Sequence, residues 1–360
     1  MVLQRMNKFR ASLAVEKRQP DQGNVRVELT LIFVKVGQVD TVNERYQADI
    51  FLQSRWREPL LDRIFPLYPQ LERRKKERSN IKKDSYIMKD SIQEMNLSEQ
   101  NFWNPRLNID NAQGEPKEVI SHEVEFVEPN NEAYLIEKRR IKGVFHETLE
   151  LKHFPFDCQD LSLVVTSERP IEEVELISSP TDISYVDQRC TADSQEWNIF
   201  QHVEVEGIEI QTAYNIGPGN RCQPGLKFTS RAARRSGYFM INTVLISCVL
   251  CLLSFSAFSV KVSQNRMQLS LLLLLTTVTF KFAASQNLPK ISYLTYLDKV
   301  VLINFFMLVT LTVWHSVVAS LENSFITKHE IKFMYGMIVL YAIGVGIFCI
   351  VVYLDTYSIR

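Results

Sequence analysis

The sequence predicts a β-sandwich domain followed by a bundle of four transmembrane helices. Charged side chains are spread throughout the chain before Arg235, whereas residues 236–260 and 300–321 contain no Lys, Arg, Asp or Glu. Short runs of alternating apolar and polar residues, typical of half-buried strands, occupy the charged part. The two parts of the chain are therefore suited to two solvents, water and lipid.

The alternating runs predict the strands of the sandwich. Turn residues such as Pro, Asn and Gly separate these runs, and short strands divided by turns are typical of all-β sandwiches. We expect the sandwich domain at residues 23–236, after a short peripheral helix at 1–22. The predicted strands lie at or near 25–36, 46–56, 123–127, 133–145, 160–166, 171–177 and 199–212.

The second part contains four segments long enough to cross a bilayer. A helix needs about 20 mostly apolar residues to span the hydrocarbon core, because unpaired peptide groups cannot face lipid. We expect these helices within a membrane domain at 237–360. The predicted helices are 238–260, 263–286, 295–321 and 331–354. The second is the least apolar, since Lys281 interrupts it and several Thr, Ser and Gln dilute it, which indicates contact with water.

Basic residues in the short connections predict the orientation. Lys261 and Arg266 lie between the first two helices, and Lys328 and Lys332 lie between the last two. Such residues favour the cytoplasm, so we expect a plasma-membrane protein with the sandwich domain and the C-terminus outside. Asn96, in an Asn-Leu-Ser sequon, is then a predicted glycosylation site. The N-terminal residues lack the apolar core of a signal peptide, so we expect that it was removed.

Composition and motifs argue against several classes of function. The formal net charge is zero, which gives no reason to expect a nucleic-acid partner. The basic segment at 72–83 is interpreted as a solvated loop. We predict no enzyme activity, cofactor or metal, because the clustered His and Cys residues lack hydrolase or zinc spacing. Those residues are His122, His146, His153 and Cys158. Pairing among Cys158, Cys190 and Cys222 stays open.

Five short motifs occur in an order that points to one family. They are Phe51-Leu-Gln-Ser-Arg-Trp56, Trp103-Asn104-Pro105 with Asn111, His153-Phe-Pro-Phe-Asp157, Arg234-Arg235 with Tyr238-Phe239 and Asn242, and Leu288-Pro289-Lys290 with Ser292-Tyr293. Together with the predicted topology, they resemble the pentameric ligand-gated ion channels, or Cys-loop receptors, over nearly the whole chain. The resemblance implies a pentamer of identical subunits around a central pore, embedded in a lipid bilayer.

The chain also departs from that family. The disulfide that names the family would require cysteines at Glu147 and Leu161. We therefore expect packing of Phe154 and Phe156 to hold this loop. The missing bridge and the short link at 322–332 resemble the bacterial branch of the family. The proline of the first helix is replaced by Ser247.

One face of the second helix is the predicted pore lining. Its residues recur at alternating steps of four and three, which places them on one side of a helix. They are Gln268, Leu272, Leu275, Thr279, Phe282 and Gln286. The resemblance turns this face toward the pore and puts Leu275 at the gate, where a ring of leucines excludes water. The alternative is a leucine-rich face that packs against other helices.

The inner mouth of the pore carries no charged ring. Gln264 and Asn265 occupy the positions where cation-selective relatives have carboxylates and anion-selective relatives have a Pro-Ala pair. We expect the pore to conduct cations. The sequence leaves the choice between cation and anion selectivity open.

The resemblance also implies a ligand site between neighbouring sandwich domains. It assigns Phe51 to one side, and Asp110, a position near Glu168, and Tyr214 to the other. Aromatic side chains bind cationic amines, but acidic residues replace part of the cage. We therefore expect an unidentified small-molecule agonist other than a quaternary amine, or activation by protons.

The same family brings a set of loops together at the membrane boundary, and these are the predicted coupling residues. They are Asp40, Asp157, Arg234, Arg235, Pro289 and Lys290. A partly buried carboxylate there requires a cationic partner. We expect Asp157→Ala or Arg235→Ala to abolish gating while assembly survives. The alternative function is a non-conducting, membrane-anchored binding or structural subunit, which the apolar helix face and incomplete cage would also fit.

Overall fold

The predicted combination of a β-sandwich with four apolar helices is confirmed. The computed structural model describes residues 24–59, 61–62, 103–127, 132–187, 195–211, 222–260, 266–285, 291–321 and 324–359. Strands make up the described chain as far as Arg234, and helices dominate after it. The predicted N-terminal helix at 1–22, the basic segment at 72–83 and Asn96 lie outside the described residues.

The sandwich contains ten described strands. They are β1 Val25–Asp40, β2 Arg45–Arg57, β3 Leu107–Ile109, β4 Lys117–Val127, β5 Glu132–His146, β6 Cys158–Ser167, β7 Val174–Ser178, β8 Tyr185–Val186, β9 Trp197–Gln211 and β10 Cys222–Arg234. In β2 every second side chain from Tyr46 to Trp56 is buried, as expected for a strand with one face on a core.

The strands follow the order β3-β6-β10-β9-β8-β1-β2-β5-β4, and β7 pairs with β1. All these pairs are antiparallel except those of β1 with β7 and β8, which are parallel. The strands form two sheets, one of β1, β2, β4, β5, β7 and β8 and the other of β3, β6, β9 and β10, and the pairing of β8 with β9 joins them. The two sheets enclose one large apolar core that includes Tyr46, Trp56, Phe145, Leu161 and Phe228. This core fixes the ends of the strands from which the junction with the membrane helices is built.

Strand β10 is absent from the strands expected from the sequence. Its first residues include Pro224 and Gly225, which read as a turn, and small residues such as Ala232 take core positions. Gly225 is required for close packing, because a Cβ there would lie 2.9 Å from Cγ1 of Ile208 on the paired strand. Cross-strand packing therefore overrides the local pattern.

Within the described residues, four helices are long and apolar enough to cross a membrane, and the chain is a multi-pass membrane protein. They are α1 Gly237–Ser259, α2 Arg266–Ser285, α3 Tyr296–Leu321 and α4 Ser324–Ile359. Helix α4 begins seven residues before the predicted 331, because 324–330 continues as helix instead of serving as a link. The stretch 322–323 and the α1–α2 connection 261–265 lie outside the described residues.

A polar network inside the helices joins α1, α3 and α4. The buried Asn304 of α3 donates from Nδ2 to Oγ of Ser247 at 2.9 Å. Its Oδ1 accepts from the hydroxyl of Tyr341 on α4 at 2.9 Å. The resemblance implies a proline at position 247. Here the hydroxyl of Ser247 instead takes part in the packing of α1 against α3. Hydrogen bonds between membrane helices contribute roughly 0.6–2 kcal/mol each.

Candidate functional site

The loop between β5 and β6, residues 147–157, lies between the sandwich and the helices and is called the junction loop below. Its last residue, Asp157, accepts from Nε of Arg234 at 2.9 Å and from Nη2 at 3.4 Å. Both side chains are 2% exposed. Arg234 is the last residue of β10, directly before α1, so this buried pair fastens the junction loop to the start of the first helix.

The guanidinium of Arg234 is surrounded on its remaining sides. Nη1 donates to Oε1 of Glu196 at 2.9 Å. The guanidinium carbon lies 4.1 Å from the ring centre of Trp197 and 5.0 Å from that of Phe154. Two carboxylates and two aromatic faces therefore compensate a cation taken out of water, as a buried charge requires. Removing Asp157 or Arg234 would leave the other one buried without its charged partner.

Of the other predicted coupling residues, Asp40 and Arg235 form hydrogen bonds separate from this pair. Arg235 is exposed, and its backbone N–H donates to the carbonyl of Glu196 at 2.8 Å. Asp40 is the last residue of β1, and hydrogen bonds from Asn43 and Arg45 hold its pKa below the usual value. Pro289 and Lys290 are outside the described residues. Among the described residues, the structure therefore brings together Asp157 and Arg234, and it does so without Asp40 or Arg235.

The junction loop also contacts the start of α3. The N–H of Leu151 donates to the hydroxyl of Tyr293 at 3.0 Å, and the N–H of Leu297 donates to the carbonyl of Phe154 at 3.3 Å. Leu151, Phe154 and Leu297 share a small apolar core with Phe239 of α1. Phe154 therefore packs as expected, whereas Phe156 is only half-buried. A displacement of this loop would act directly on α1 and α3.

Helix α2 has one face bound to its own subunit and one face without such contacts. Ser270 and Thr277 are buried, and Oγ of Ser270 lies 2.7 Å from Nδ1 of His315 on α3. All five described members of the predicted stripe are exposed, with Leu275 at 61%. They are Gln268, Leu272, Leu275, Thr279 and Phe282. Gln264 and Gln286 are outside the described residues.

The first residue of α2 is held by a cluster that the sequence did not indicate. Arg266 forms an ion pair with Glu330 of α4 and is itself buried. Its guanidinium carbon lies 4.8 Å from the ring centre of Phe258 in α1. This cluster orients α2 about its axis, and so helps to set which face points away from the subunit.

The three described residues of the predicted ligand site lie on two different sheets. Phe51 lies on the outward face of β2, since the alternate residues Ile50 and Leu52 point into the core. Asp110 and Glu168 are both exposed and follow β3 and β6 on the opposite sheet. Tyr214 is outside the described residues. A pocket that uses both sets of residues therefore needs two copies of the chain.

Each half of this predicted ligand site has charged neighbours. Arg140 lies directly opposite Phe51 on the adjacent strand β5, and its guanidinium pairs with Asp49. Nη1 of Arg106 lies 3.7 Å from Oε2 of Glu168 on the other half. The described residues include no cluster of three or more His, Cys, Asp or Glu that could hold a metal ion.

Sequence reasoning missed two partners at the junction, Glu196 and Gln159, which make direct contacts with the central pair. Neither belongs to the five motifs, whereas Tyr293, which contacts Leu151, lies in the fifth. The only signal of the two missed residues in the sequence is position, because each lies within about four residues of a motif or strand end. Contacts formed by residues far apart in the chain leave no local pattern that would reveal them.

Comparisons with known proteins point to one group of receptors. No protein-family model matches the chain. It is 28% identical over 153 residues to the gamma-aminobutyric acid receptor subunit gamma-4 of Gallus gallus, which covers 42% of this chain and 32% of that protein. It is 22% identical over 300 residues to the gamma-3 subunit of the same receptor from Homo sapiens, which covers 81% of this chain and 57% of that protein.

These similarities are distant but extend across both parts of the chain. The mouse gamma-3 subunit matches to the same extent as the human one, at 22% identity over 300 residues. The chain spans little more than half the length of the gamma-3 relatives. All of these names are those of receptor subunits and none is that of an enzyme.

Proposed function

We propose that the chain is one subunit of a homopentameric ligand-gated ion channel whose pore is lined by α2. The observation that carries the proposal is the exposed stripe of α2, opposite the face that Ser270 and Thr277 fix against the subunit. Gln268 and Thr279 belong to this stripe, and polar groups are unfavourable against lipid. A shared aqueous axis gives them water.

The apolar middle of the stripe supplies a gate. In a fivefold assembly Leu272 and Leu275 would each form a ring, and a narrow apolar ring blocks ions by losing its water. The sandwich, 23–236, then lies outside the cell, and 237–360 forms the membrane domain with its C-terminus outside. The similarity to receptor subunits supports an assembly of several chains.

The junction loop provides the connection between ligand and gate. It is held by Asp157 and Arg234 at the start of α1 and contacts α3 through Leu151 and Phe154. Helix α3 in turn holds α2 through Ser270 and His315. A rearrangement of the sandwich on ligand binding is therefore transmitted to the pore-lining helix by packed groups.

The agonist we propose is a small amino acid with one cationic and one anionic end. On one half-site Phe51 offers an aromatic face, and Arg140, which also pairs with Asp49, offers the exposed side of its guanidinium. On the other, Asp110 offers a carboxylate, and that of Glu168 lies 3.7 Å from Arg106. Opposite charges on the two halves suit a zwitterion that lies between them. The relatives are named for gamma-aminobutyric acid, which is such a molecule.

Voltage-clamp recording from cells that express the chain tests the function. Gamma-aminobutyric acid, glycine and steps of extracellular pH are applied in turn, and the purified protein is weighed by native mass spectrometry. We expect five-membered particles and current evoked by an amino acid or by protons. Five-membered particles without current under any stimulus would favour the alternative of a non-conducting subunit, and particles of another size would overturn the pore.

Two further variants locate the ligand site and the selectivity determinant. Combined Phe51→Ala and Tyr214→Ala is expected to abolish the response to the amino acid, and an unchanged response would exclude this site. Asn265→Glu adds a carboxylate ring at the inner mouth. We expect it to shift the reversal potential toward the equilibrium potential of the permeant cations. We propose that the unmodified pore conducts cations, and the reversal potential of the wild-type current measures this.

A further inference from the structure

The junction loop is closed at two places by side-chain hydrogen bonds. At its base, Oε2 of Glu147 accepts from the N–H of Ser162 at 2.8 Å and also from its hydroxyl. Nearer the tip, the amide of Gln159 accepts from the N–H of Glu150 at 3.0 Å and donates to the Glu150 carbonyl at 2.8 Å. Each of these two sets of hydrogen bonds joins the segment that follows β5 to a residue of β6.

The amide of Gln159 has a third contact, which reaches the buried ion pair. Nε2 donates to Oδ2 of Asp157 at 2.6 Å, and this is the same oxygen that lies 3.4 Å from Nη2 of Arg234. Gln159 is 2% exposed, and its two N–H donors and its carbonyl are all used. A buried amide with every group satisfied has one favoured orientation, so it fixes the carboxylate beside it.

The base of the loop is reinforced from both sheets. The carbonyl of Ser162 accepts from the hydroxyl of Tyr46 at 2.5 Å and from Nδ2 of Asn111 at 2.9 Å. Burial, and secondly the negative charge of Glu147, raise the pKa of Tyr46 well above its usual value, so its hydroxyl stays a donor. Ser162 is therefore a fixed anchor against which Glu147 holds the start of the loop.

We propose that Gln159 is a positioning residue that aligns Asp157 with Arg234, and that the contact of Glu147 with Ser162 closes the loop base in place of a covalent bridge. Glu147 is one of the two positions at which the resemblance implies a cysteine, and Ser162 is adjacent to the other, Leu161. The role of Gln159 in gating rests on the proposed function. Its role in holding the loop does not.

Cys158 reports the position of the loop without any recording of current. Its half-buried thiol lies between Asp157 and Gln159 in the sequence, and Cys222 supplies a second half-buried thiol at the far end of β10. The full chain is purified and treated with a membrane-impermeant maleimide, and mass spectrometry follows the peptides that contain each cysteine. Local opening of the loop raises labelling of Cys158 alone, whereas general unfolding raises both.

Gln159→Met keeps the size of the side chain and removes its hydrogen bonds. We expect labelling of Cys158 to become about tenfold faster while that of Cys222 stays within about twofold, since the buried partners lose their bonds. Gln201→Met, at an exposed position on β9, is the matched control and should change neither rate. A Cys158 rate within twofold of the unmodified chain, or an equal rise at Cys222, would overturn the positioning role.

Gln159→Glu separates the two functions of the amide. It keeps the acceptor for Glu150 but replaces the donors by a carboxylate next to Asp157, so it should raise Cys158 labelling at least as much as Gln159→Met. Labelling at the unmodified rate would show that the donor to Asp157 is dispensable. This result can be reached whether or not the protein conducts ions.

The loop base is tested by a cycle of Glu147→Ala, Ser162→Ala and the double variant. Glu147→Ala removes both hydrogen bonds at the base and Ser162→Ala removes only the one from the hydroxyl, so the double variant should label Cys158 no faster than Glu147→Ala alone. If the increase in the double variant equalled the product of the two single increases, the two side chains would act independently. That result would overturn the closure at the base.

Discussion

Two polar regions of the molecule differ in where their partners are found. At the junction, Asp157 and Arg234 are buried, and every partner described for them belongs to the same chain. On α2, the stripe that contains Gln268 and Leu275 is exposed, while the opposite face is bonded to α3. The junction contacts are thus formed within one chain, whereas the proposed function gives the stripe its surroundings only in an assembly of several chains.

This difference separates folding from function along one chain. A group whose partners are internal affects the stability of the subunit when it is changed. A group exposed in the subunit affects what happens only after assembly. Variants at the two regions should therefore differ in kind, with loss of stability at the junction and altered current at the stripe.

The largest effect is expected from Arg234→Gln. It leaves Asp157 buried without its cation, which costs roughly 3–5 kcal/mol in unfolding free energy. Thermal unfolding in detergent measures the loss, and agonist-evoked current should disappear. Arg235→Gln is the matched control, because that side chain is exposed, and it should change neither quantity. Equal effects at the two arginines would remove the basis for treating the junction as a closed unit.

The sequence left these two arginines equivalent, for a physical reason. In β10 burial alternates, so that Ala232 and Arg234 point inward while Arg235 lies beyond the strand. The strand itself was missed because Pro224 and Gly225 resemble a turn. Without the strand, the alternation that selects Arg234 could not be used.

The membrane helices were easier to predict than the junction. Their length and composition are local properties, and the periodicity of α2 gave the stripe without any tertiary information. Periodicity shows which residues share a face, but it does not show what covers that face. The contacts of Gln159 and Glu196 with the central pair join segments from different parts of the chain, and no local pattern encodes them.

The second largest effect is expected from Leu275→Thr. A hydroxyl ring in the apolar middle of the pore lowers the cost of hydration, so the channel should open more readily. We expect the half-maximal agonist concentration to fall about tenfold, equivalent to ~1.4 kcal/mol. Subunit stability should not change, because the side chain is exposed within the subunit.

Leu269→Thr is the control for this change. Leu269 is also exposed on α2 but lies outside the stripe. Equal shifts of the half-maximal agonist concentration in both variants would contradict the contrast between the stripe and the junction. A lower unfolding temperature of the subunit in Leu275→Thr would also contradict it.

A smaller effect is expected from a pair of threonines two residues apart. Thr277 is buried toward the subunit and Thr279 is exposed on the stripe, and each hydroxyl donates to a carbonyl of its own helix, of Leu273 at 3.0 Å and of Thr276 at 2.9 Å. Thr279→Val should reduce single-channel conductance by about twofold, because water and ions lose a polar ring. Thr277→Val should leave conductance unchanged, and the reverse order would place the pore on the other face.

The smallest effect is expected at an exposed ion pair that has the same forked geometry as the junction. Asp49 accepts from Nε and Nη2 of Arg140 at 3.1 and 2.9 Å, but Arg140 is 53% exposed. The hydrogen bond from Arg140 is the largest cause that holds the pKa of Asp49 below its usual 3.8. The stabilisation by this ion pair is therefore fully present above about pH 4, the pKa of an Asp carboxyl in the unfolded chain. It is lost as the pH falls through the lower pKa of Asp49 in the folded chain.

Asp49→Asn should accordingly lower the unfolding temperature at pH 7 by less than about 2 °C, since exposed pairs contribute little. The difference from the unmodified chain should shrink as the pH falls below about 4, where Asp49 becomes protonated. The unfolding temperatures of Asp49→Asn and of the unmodified chain, at pH 7 and at a pH below about 4, measure this difference. If Asp49→Asn destabilised the chain as much as Arg234→Gln, burial would not be what distinguishes the junction, because the two pairs share the fork and differ in exposure to water.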